Sequence, residues 1–288
     1  MKGLFLMYKI IKKESLNPTV TRMDVFAPHI AKKAEPGQFI ILRATEDGER
    51  IPLTIADFDR EAGTVSIIFQ IVGATTYALN EKNEGDFIPD FAGPLGNATK
   101  TGGLKKVCVI GGGVGCAIAY PIVKKLNAEG AEVHSIVGFR NRDLVILKDE
   151  FEESSSRFVI MTDDGSLGEK GLVTDALEKL VDEGNVYDEV IAIGPLVMMK
   201  FVSLLTKKLG IKTTVSMNPV MIDGTGMCGG CRLMVGGEMK FACIDGPEFD
   251  GHLVDFDDAL DRASMYKDFE RHTYEDECNL FKGARENG

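Results

Sequence analysis

The sequence predicts an α/β protein with an added β domain: an N-terminal antiparallel β-barrel, a Rossmann-like parallel sheet and a small C-terminal section with clustered cysteines. Short apolar runs separated by turns fill the first hundred residues, and strands then alternate with helices to about residue 212. Three cysteines follow within a short, glycine-rich stretch. Many short strands indicate a barrel, and alternating strands and helices indicate a parallel sheet. We therefore divide the 288 residues into domains 1–100, 101–212 and 213–288.

The barrel is predicted from residues 39–42 and 65–72, which are apolar or alternating runs of strand length. Turn signals at 36–37 and 46–48 separate such runs, and a short helix is expected at about 75–80. We expect the sheet to close on itself as a small barrel.

The second domain is predicted from a buried-strand run that ends in Gly111-Gly112-Gly113-Val114-Gly115, followed by a helical stretch at 116–127. A glycine turn between a strand and a helix places phosphates on a helix N-terminus. Gly111, Gly112, Gly113, Val114 and Gly115 are therefore candidate contacts to a nucleotide pyrophosphate. The alternative is a tight turn without a ligand.

Further strands are expected at 132–138, 158–161 and 189–194, and further helices at 174–182 and 196–209. The end of the second strand commonly tells NAD from NADP, since an acid there binds a ribose hydroxyl and an arginine suits a phosphate. Here Arg140 and Arg142 favour NADP and Asp143 favours NAD, so this rule leaves the choice open. Solvated loop arginines are the alternative interpretation.

The C-terminal section carries Asp223, Cys228, Cys231 and Cys243, an x4, x2, x11 spacing within a glycine-rich loop. Plant-type [2Fe–2S] proteins use Cys-x4-Cys-x2-Cys and a distant fourth cysteine, and here a carboxylate stands in the first position. The spacing predicts an iron–sulfur cluster held by the three cysteines, with Asp223 as a candidate fourth ligand. A zinc site, or a hairpin with buried free cysteines, remains an alternative.

The glycines of that loop, Gly224, Gly226, Gly229 and Gly230, permit positive φ and close backbone approach. Cys108 and Cys116 are expected to be core thiols, Cys278 a free thiol near the chain end, and His252 a structural residue rather than a ligand.

The composition argues against a nucleic-acid-binding protein, a membrane-spanning protein and a disulfide-linked protein. The chain is 44% hydrophobic and 27% charged, as in ordinary globular proteins, and its net charge of -11 argues against a nucleic-acid partner. Apolar runs are too short to span a bilayer or to form a signal peptide. The distribution of the six cysteines fits a reducing cytoplasm rather than a disulfide framework. We therefore expect a cytoplasmic protein without a membrane or nucleic-acid partner.

A flavin is predicted from the combination of domains. A nicotinamide transfers two electrons as a hydride and an iron–sulfur cluster transfers one, and flavin accepts two electrons and releases them singly. In the barrel, Arg50 is a candidate to neutralise a phosphate, and Thr54 is a candidate to hydrogen-bond the edge of a flavin ring. Residues 70–76 precede the short helix, whose N-terminus is a second candidate phosphate contact. Each segment alone is ordinary barrel sequence.

These segments together resemble the ferredoxin–NADP reductase superfamily. The resemblance is carried by residues 36–39, 50–57, 111–115, 162–166, 194–195, 221–232 and 241–252, and it covers essentially the whole chain. It is closer to the electron-transfer subunits of class B dihydroorotate dehydrogenases. It is closest to the small (alpha) subunits of NADH-dependent ferredoxin:NADP⁺ oxidoreductases, which are related to sulfide dehydrogenase beta subunits.

The resemblance implies FAD in the barrel, NAD(H) on the second domain and a [2Fe–2S] cluster held by one Asp and three Cys, here Asp223, Cys228, Cys231 and Cys243. The implied FAD contacts are Arg50, Pro52, Leu53, Thr54, Gln70, Ile71, Val72, Gly73, Thr75 and Thr76. The implied NAD contacts are Gly111, Gly112, Gly113, Val114, Gly115, Arg140, Asp164, Gly194 and Pro195.

Two departures from the superfamily affect these assignments. Many members carry Arg-x-x-Ser/Thr, whereas Arg50 and Thr54 are four positions apart, which changes the strand faces that they occupy. Many members also have Cys-Gly-Pro, whereas this chain has Ile193-Gly194-Pro195 and offers no thiol there.

The resemblance further implies an electron-transfer flavoprotein subunit of a bifurcating enzyme, paired with a larger flavin and iron–sulfur subunit that serves ferredoxin, as a heterodimer or higher assembly. No acid–base residue of this chain is assigned to catalysis. The alternatives are an electron-transfer subunit of NAD-dependent dihydroorotate dehydrogenase, a subunit of an NADPH sulfide or polysulfide reductase, and a cluster-based redox sensor.

Overall fold

The computed structural model describes residues 8–265. Its first part is a nearly closed antiparallel barrel with the strand order β6-β1-β2-β5-β4-β3-β7. The strands are β1 (Tyr8–Asn17), β2 (Val20–Phe26), β3 (Phe39–Arg43), β4 (Arg50–Asp59), β5 (Thr64–Gln70), β6 (Phe87–Ile88) and β7 (Asp90–Leu95). Two short helices accompany them, α1 (Pro28–Ala31) and α2 (Ala74–Asn80). The two outermost strands, β6 and β7, are consecutive in the chain, which brings the ends of the sheet together.

The second part is a mostly parallel sheet with the strand order β11-β10-β9-β8-β12-β13-β16. Its strands are β8 (Lys106–Gly112), β9 (Glu132–Phe139), β10 (Arg157–Thr162), β11 (Glu169–Lys170), β12 (Glu189–Ile193), β13 (Thr213–Ser216) and β16 (Glu248–Asp250). Its helices are α3 (Cys116–Ala128), α4 (Lys148–Ser154), α5 (Val173–Asp182) and α6 (Leu196–Leu209). The strand order reverses at β8, since β9 and β10 lie on one side of it and β12 and β13 on the other.

Helices cover both faces of this sheet because successive side chains of a strand point to opposite faces. In β8, Val107 and Val109 pack with residues of α3, whereas Cys108 and Ile110 pack with residues of α5 and α6. All four side chains are fully buried. A strand buried on both faces reads as a continuous apolar run, which is why the sequence identified it.

The C-terminal section is built into the rest of the molecule. Its elements are a hairpin of β14 (Arg232–Val235) and β15 (Glu238–Phe241), then β16, then α7 (Phe256–Ser264). Strand β16 pairs antiparallel with β13 at the edge of the large sheet. Cys231 and Cys243 share one buried cluster with Phe39 and Ile41 of the barrel and with Val215 of β13. A single core therefore joins all three sections.

Most of the predicted elements are confirmed. Helix α6 has the predicted bounds, and α2, α3 and α5 begin or end within one residue of the predicted positions. The sequence also predicts a helical stretch near residues 262–269. The observed helix, α7, starts earlier and ends at Ser264, and the remainder of that prediction lies outside the described residues. The predicted division of the chain into three domains stays a prediction. Strand β13, which opens the predicted third domain, is a member of the parallel sheet.

Cys108 and Cys116 are fully buried, as predicted for core thiols. His252 accepts or donates one hydrogen bond with the Thr206 hydroxyl at 3.0 Å, which agrees with a structural role. Cys278 lies outside the described residues. Between residues 8 and 265, no helix combines the length and apolar character needed to cross a membrane.

Candidate functional site

A cavity of about 680 Å³ lies at the carboxyl ends of the parallel strands. Ligands of open α/β sheets bind at this edge, in the crevice where the strand order reverses. The cavity includes eight of the predicted cofactor contacts, Gln70, Gly112, Gly113, Val114, Gly115, Arg140, Gly194 and Pro195. Asn17 and Gln70 belong to the barrel, so the cavity lies between the barrel and the parallel sheet.

The glycine turn after β8 forms the middle of the cavity wall. A Cβ added at Gly115 would lie 2.6 Å from the Ile193 carbonyl oxygen and 2.8 Å from the Gly194 Cα, so only glycine lets the β8 and β12 loops touch. Gly113 has φ +54° and open space where a Cβ would stand. The backbone there is accessible from the cavity and leads into the N-terminus of α3, an arrangement that fits a pyrophosphate.

The charged residues at one end of the cavity are Arg140 and Asp163, which follow β9 and β10 respectively. The predicted contact Asp164 is not part of the lining. Its carboxylate instead accepts hydrogen bonds from the backbone N–H and hydroxyl of Ser166, at 2.9 and 2.6 Å, and the hydroxyl contact is the main reason that the pKa of Asp164 is lowered. The structure therefore brings Asp163, one residue earlier, to the cavity.

Except for Gln70, the barrel candidates do not line this cavity. Arg50 and Thr54 have their partners in β3, Arg43 and Phe39, in an unbroken antiparallel register, so they share one face of β4. The Arg50 guanidinium donates to Asp90 at 2.8 Å and is partly exposed. Pro52 and Leu53 lie between them on the same strand. A phosphate at Arg50 would thus compete with an existing ion pair.

The turn at Ile71, Val72 and Gly73 is held by Thr76. Its hydroxyl oxygen accepts from the backbone N–H groups of Val72 and Gly73, both at 3.0 Å, and donates to the Gly73 carbonyl at 2.9 Å. Two N–H groups at the start of α2 are therefore already satisfied by Thr76. Val72 is 67% exposed, and Gly73 has open space around it. Thr75 follows in the first turn of α2. This exposed, preformed turn leaves room for a ligand beside the barrel.

The cysteine loop is organised by the Asp223 carboxylate. One oxygen accepts from the backbone N–H and the hydroxyl of Thr225, and the other accepts from the backbone N–H of Cys228 at 2.7 Å. These bonds, led by the one from the Thr225 N–H, lower the pKa of Asp223 to about 2. Since a carboxylate has about four lone-pair positions, these three bonds leave capacity for a metal ion.

Three glycines of the loop have positive φ, namely Gly224, Gly226 and Gly229, as expected from their positions. Gly230 does not, and its backbone N–H donates to the Cys228 sulfur at 3.4 Å. A Cβ at Gly224 would lie 2.7 Å from Ile41 and 2.8 Å from Leu95, so the loop packs directly on barrel strands β3 and β7. The cysteine loop therefore touches the domain predicted to hold the flavin.

The sulfur atoms of Cys231 and Cys243 are 3.2 Å apart, and both residues are almost completely buried. Burial, followed by the contact with Cys231, raises the pKa of Cys243 to about 12. Cys228 is exposed and stands on the same turn as Asp223. Metal loading would displace protons from such thiols, since thiolates are the ligands.

The described residues 8–265 contain no group of three or more His, Cys, Asp or Glu side chains that surrounds a single metal ion. A two-iron cluster has a different requirement, because each iron takes two protein ligands. The close Cys231–Cys243 pair and the Asp223–Cys228 turn supply two such pairs. The donor set, three thiols and one carboxylate in a glycine loop, fits an iron–sulfur cluster better than a zinc site.

Four exposed apolar side chains lie within the cysteine loop or next to it along the chain. Val220, Ile222, Met227 and Ile244 are 52, 54, 89 and 48% exposed. Clustered exposed apolar side chains mark protein interaction sites more often than single ones do. We call these four residues the apolar rim.

Several cavity residues were not found from the sequence. Asn17, Asp163, Met198, Phe201, Ser216 and Asn218 all line the cavity but come from four separate segments. Only Asp163 had a local signal, since it follows a predicted strand. The others become neighbours through the fold.

The fold and the loop define a class: a reductase of the ferredoxin reductase type with an added iron–sulfur section. A cytochrome P450 reductase from Amycolatopsis shares the fold, with a TM-score of 0.59 at 21% identity over 70% of this chain and 65% of that one. A family model for the iron–sulfur cluster binding domain of dihydroorotate dehydrogenase B matches residues 218–255.

Two curated relatives and one structure extend the comparison to most of the chain. A dihydroorotate dehydrogenase B (NAD(+)) electron transfer subunit homologue from Thermotoga maritima is 46% identical over 267 residues, which is 93% of this chain and 94% of the relative. The electron transfer subunit from Fusobacterium nucleatum is 32% identical over 237 residues, 79% of this chain and 90% of the relative. This chain belongs to the family of dihydroorotate dehydrogenase B electron transfer subunits and their homologues, and it is an oxidoreductase subunit.

A solved chain superposes on nearly the whole molecule. It comes from the structure of an NADH-dependent reduced ferredoxin–NADP oxidoreductase, studied for flavin-based electron bifurcation. The TM-score is 0.89 at 44% identity, and the match covers 96% of this chain and 99% of that one. This similarity favours one branch of the family over the others.

Proposed function

We propose that this chain is the electron-transfer subunit of a bifurcating NADH-dependent ferredoxin:NADP⁺ oxidoreductase, passing electrons among a [2Fe–2S] cluster, FAD and NAD(H). The observation that carries the proposal is the position of the cysteine loop, which packs on barrel strands β3 and β7 through Gly224 and shares a buried core with the sheet that forms the nucleotide cavity. The similarity to the bifurcating enzyme over 96% of the chain supports the same assignment.

The chain's own residues bind and orient NAD(H) in this proposal. Gly112, Gly113 and Gly115 bring backbone N–H groups and the start of α3 to the pyrophosphate. Gly194 and Pro195 form the wall after β12, where the strand order reverses. The neighbouring Ile193 is almost completely buried and carries no thiol, and among residues 8–265 no cysteine lines that wall.

The barrel would hold FAD through the β4 segment of Arg50, Pro52, Leu53 and Thr54 and through the exposed turn at 71–76. Flavin supplies the exchange between a two-electron hydride and single electrons. The loop of Asp223, Cys228, Cys231 and Cys243 would hold the [2Fe–2S] cluster. Its packing against β3 and β7 gives that loop a fixed position relative to the barrel.

A larger subunit is the expected partner, because the relatives are named as subunits. We assign this partner to the apolar rim, which adjoins the cysteine loop along the chain and would exclude water from the electron path when covered. Ferredoxin and NADP would then be served by the larger subunit. The free thiols of the described cysteines agree with a reducing cytoplasm.

The test is anaerobic purification of the chain with its native partner, followed by cofactor analysis and identification of the second chain. We expect this chain to contribute one FAD, two irons and two acid-labile sulfides to the complex, in addition to the flavin and iron–sulfur clusters of the partner. Oxidation of NADPH should then reduce NAD⁺ only when ferredoxin is supplied. A complex without iron and labile sulfide would refute the proposal.

A second candidate is an electron-transfer subunit of NAD-dependent dihydroorotate dehydrogenase. The family model matched at residues 218–255 and the names of the curated relatives favour it. The same purification separates the two, since a dihydroorotate dehydrogenase partner would be a (β/α)8 barrel and the complex would oxidise dihydroorotate.

A further inference from the structure

Two residues of the nucleotide cavity, Ser216 and Asn218, lie at the end of β13, next to the end of β12. A dinucleotide laid across this edge places its pyrophosphate at the central glycine turn, and its adenosine half on the β9 side. Arg140 and Asp163 stand on that side. The nicotinamide half of the dinucleotide must then extend toward β12 and β13, where Gly194, Ser216 and Asn218 form the wall of the cavity.

Asn218 has the chemistry to recognise that half. Its side-chain amide offers both a donor and an acceptor, and it is exposed at the cavity. The nicotinamide carboxamide also offers one donor and one acceptor, so two amides form a reciprocal pair of hydrogen bonds. Neither Arg140 nor Asp163 presents such a pair.

Asn218 is also tied to the cysteine loop. Asp223 is the fifth residue after it, so chain length limits their Cα separation to about 17 Å. The segment between them is anchored rather than free: the Met217 N–H donates to the Pro247 carbonyl at 2.9 Å, and Met217 and Met221 are 2 and 4% exposed. Both methionines belong to the core that contains Cys231 and Cys243.

The backbone of the segment touches the loop as well. The Val220 carbonyl lies 3.4 Å from the Cβ position of Gly230, which directly precedes Cys231. Because the segment is closely packed, a displacement of Asn218 would also displace the neighbours of the cysteine ligands.

We propose that Asn218 holds the nicotinamide half of NAD(H), and that the segment Ser216–Asp223 couples occupancy of the nucleotide cavity to the iron–sulfur loop. This inference rests on the proposed function and adds to it a binding residue and a route of coupling. Linkage makes the coupling reciprocal: if bound NAD⁺ changes the potential of the cluster, reduction of the cluster changes the affinity for NAD⁺ by the corresponding factor.

The experiment compares NAD⁺ with ADP-ribose, which lacks the nicotinamide, on the intact complex. Calorimetric titration of the Asn218→Ala variant should show NAD⁺ affinity reduced about fivefold to a hundredfold, the range for two lost hydrogen bonds, and unchanged ADP-ribose affinity. Asn218→Gln, which keeps the amide, should recover part of the loss. Asn127→Ala, the same change at an exposed position on α3 outside the cavity, is the matched control and should bind both as wild type does.

The coupling has a separate readout in the EPR spectrum of the reduced cluster. In the wild type, NAD⁺ should shift the signal and ADP-ribose should not; in Asn218→Ala, saturating NAD⁺ should leave it unchanged. Equal losses of NAD⁺ and ADP-ribose affinity would overturn the inference as a general structural defect. Wild-type NAD⁺ affinity in Asn218→Ala, in a complex that contains flavin and iron, would also overturn it and leave the proposed function standing. A wild-type complex that binds no NAD⁺ would refute the proposed function itself.

Discussion

In the proposed function, Asp223 combines two roles that are usually divided among several residues. Its carboxylate closes the loop through Thr225 and Cys228, and it also stands where a fourth cluster ligand is required. Carboxylate oxygen is a harder and less strongly donating ligand than thiolate, so it changes the electron density at the iron that it binds. We infer that this residue sets the potential of the cluster as well as the shape of the loop.

Replacing Asp223 by cysteine should therefore retain the cluster and shift its midpoint potential, because thiolate and carboxylate donate different amounts of charge to the iron. The change is measured by redox titration monitored by EPR. Asp223→Ala removes both the ligand and the loop-closing bonds and should reduce the iron content per chain. An unchanged potential in Asp223→Cys would contradict the assignment of Asp223 as a ligand.

Asp163 and Asp164 provide a test of nucleotide choice between adjacent acids. Asp163 lines the cavity, so its negative charge would repel a 2′-phosphate of the ribose. Its carboxylate oxygen would accept a hydrogen bond from a 2′-hydroxyl. Asp163→Ser should improve NADP⁺ binding about tenfold or more relative to NAD⁺, since Arg140 remains nearby. Fluorescence titration with both nucleotides measures the ratio.

Asp164→Asn is the matched control, because this carboxylate bonds to Ser166 and does not line the cavity. It should leave the NADP⁺ to NAD⁺ ratio as in the wild type. If both variants changed the ratio equally, the selection would reside in the loop rather than in Asp163.

At the scale of elements, local sequence patterns predicted those strands and helices whose formation depends mainly on their own residues. The apolar run of β8 and the periodic segments of α3, α5 and α6 identified those elements within a residue or two. Strand β16 was not predicted, because its three residues carry no period and are ordered by pairing with β13. The same holds for the site. The glycine turn and the cysteine spacing are local motifs, whereas Asn17, Ser216 and Asn218 meet only through tertiary structure.

The contact between the β8 and β12 loops depends on the absence of a side chain at Gly115. Gly115→Ala should destabilise the protein by about 1–3 kcal/mol, because backbone atoms of Ile193 and Gly194 occupy the space and must move. A lower Tm and a weaker NAD⁺ affinity should be observed together. Gly102→Ala, at a position with open space and no positive φ, is the control and should leave the Tm within about a degree. Equal Tm values for the two variants would contradict the close packing.

At the scale of the whole molecule, Glu248 is placed where the three sections meet. It lies on β16, accepts a 2.6 Å hydrogen bond from Thr99 between the barrel and the sheet, and stands 3.1 Å from the Cβ position of Gly37. Burial raises the pKa of Glu248 to about 7, the Thr99 hydroxyl opposes the shift, and Glu189 adds to it. The folded protein therefore binds this proton more tightly than the unfolded chain does.

The consequence is a loss of stability with rising pH. With a pKa of about 4.3 in the unfolded chain, this contribution is complete below that pH, declines as the pH rises and levels off above about 7. The total is about 3 kcal/mol as an order of magnitude. Thermal unfolding from pH 5 to 8 should show a smaller decline for Glu248→Gln than for the wild type, with the variant more stable at pH 8. Glu178→Gln, at an exposed position on α5, should keep the wild-type slope; equal slopes for all three proteins would contradict the assignment.

The antiparallel pairing of β16 with β13 has a consequence for any shortened version of the chain. A protein cut before Glu248 would expose a row of unpaired N–H and C=O groups along Thr213–Ser216, a template onto which strands of other molecules add. The iron–sulfur section thus seals the large sheet against self-association, and the reductase portion alone would tend to aggregate.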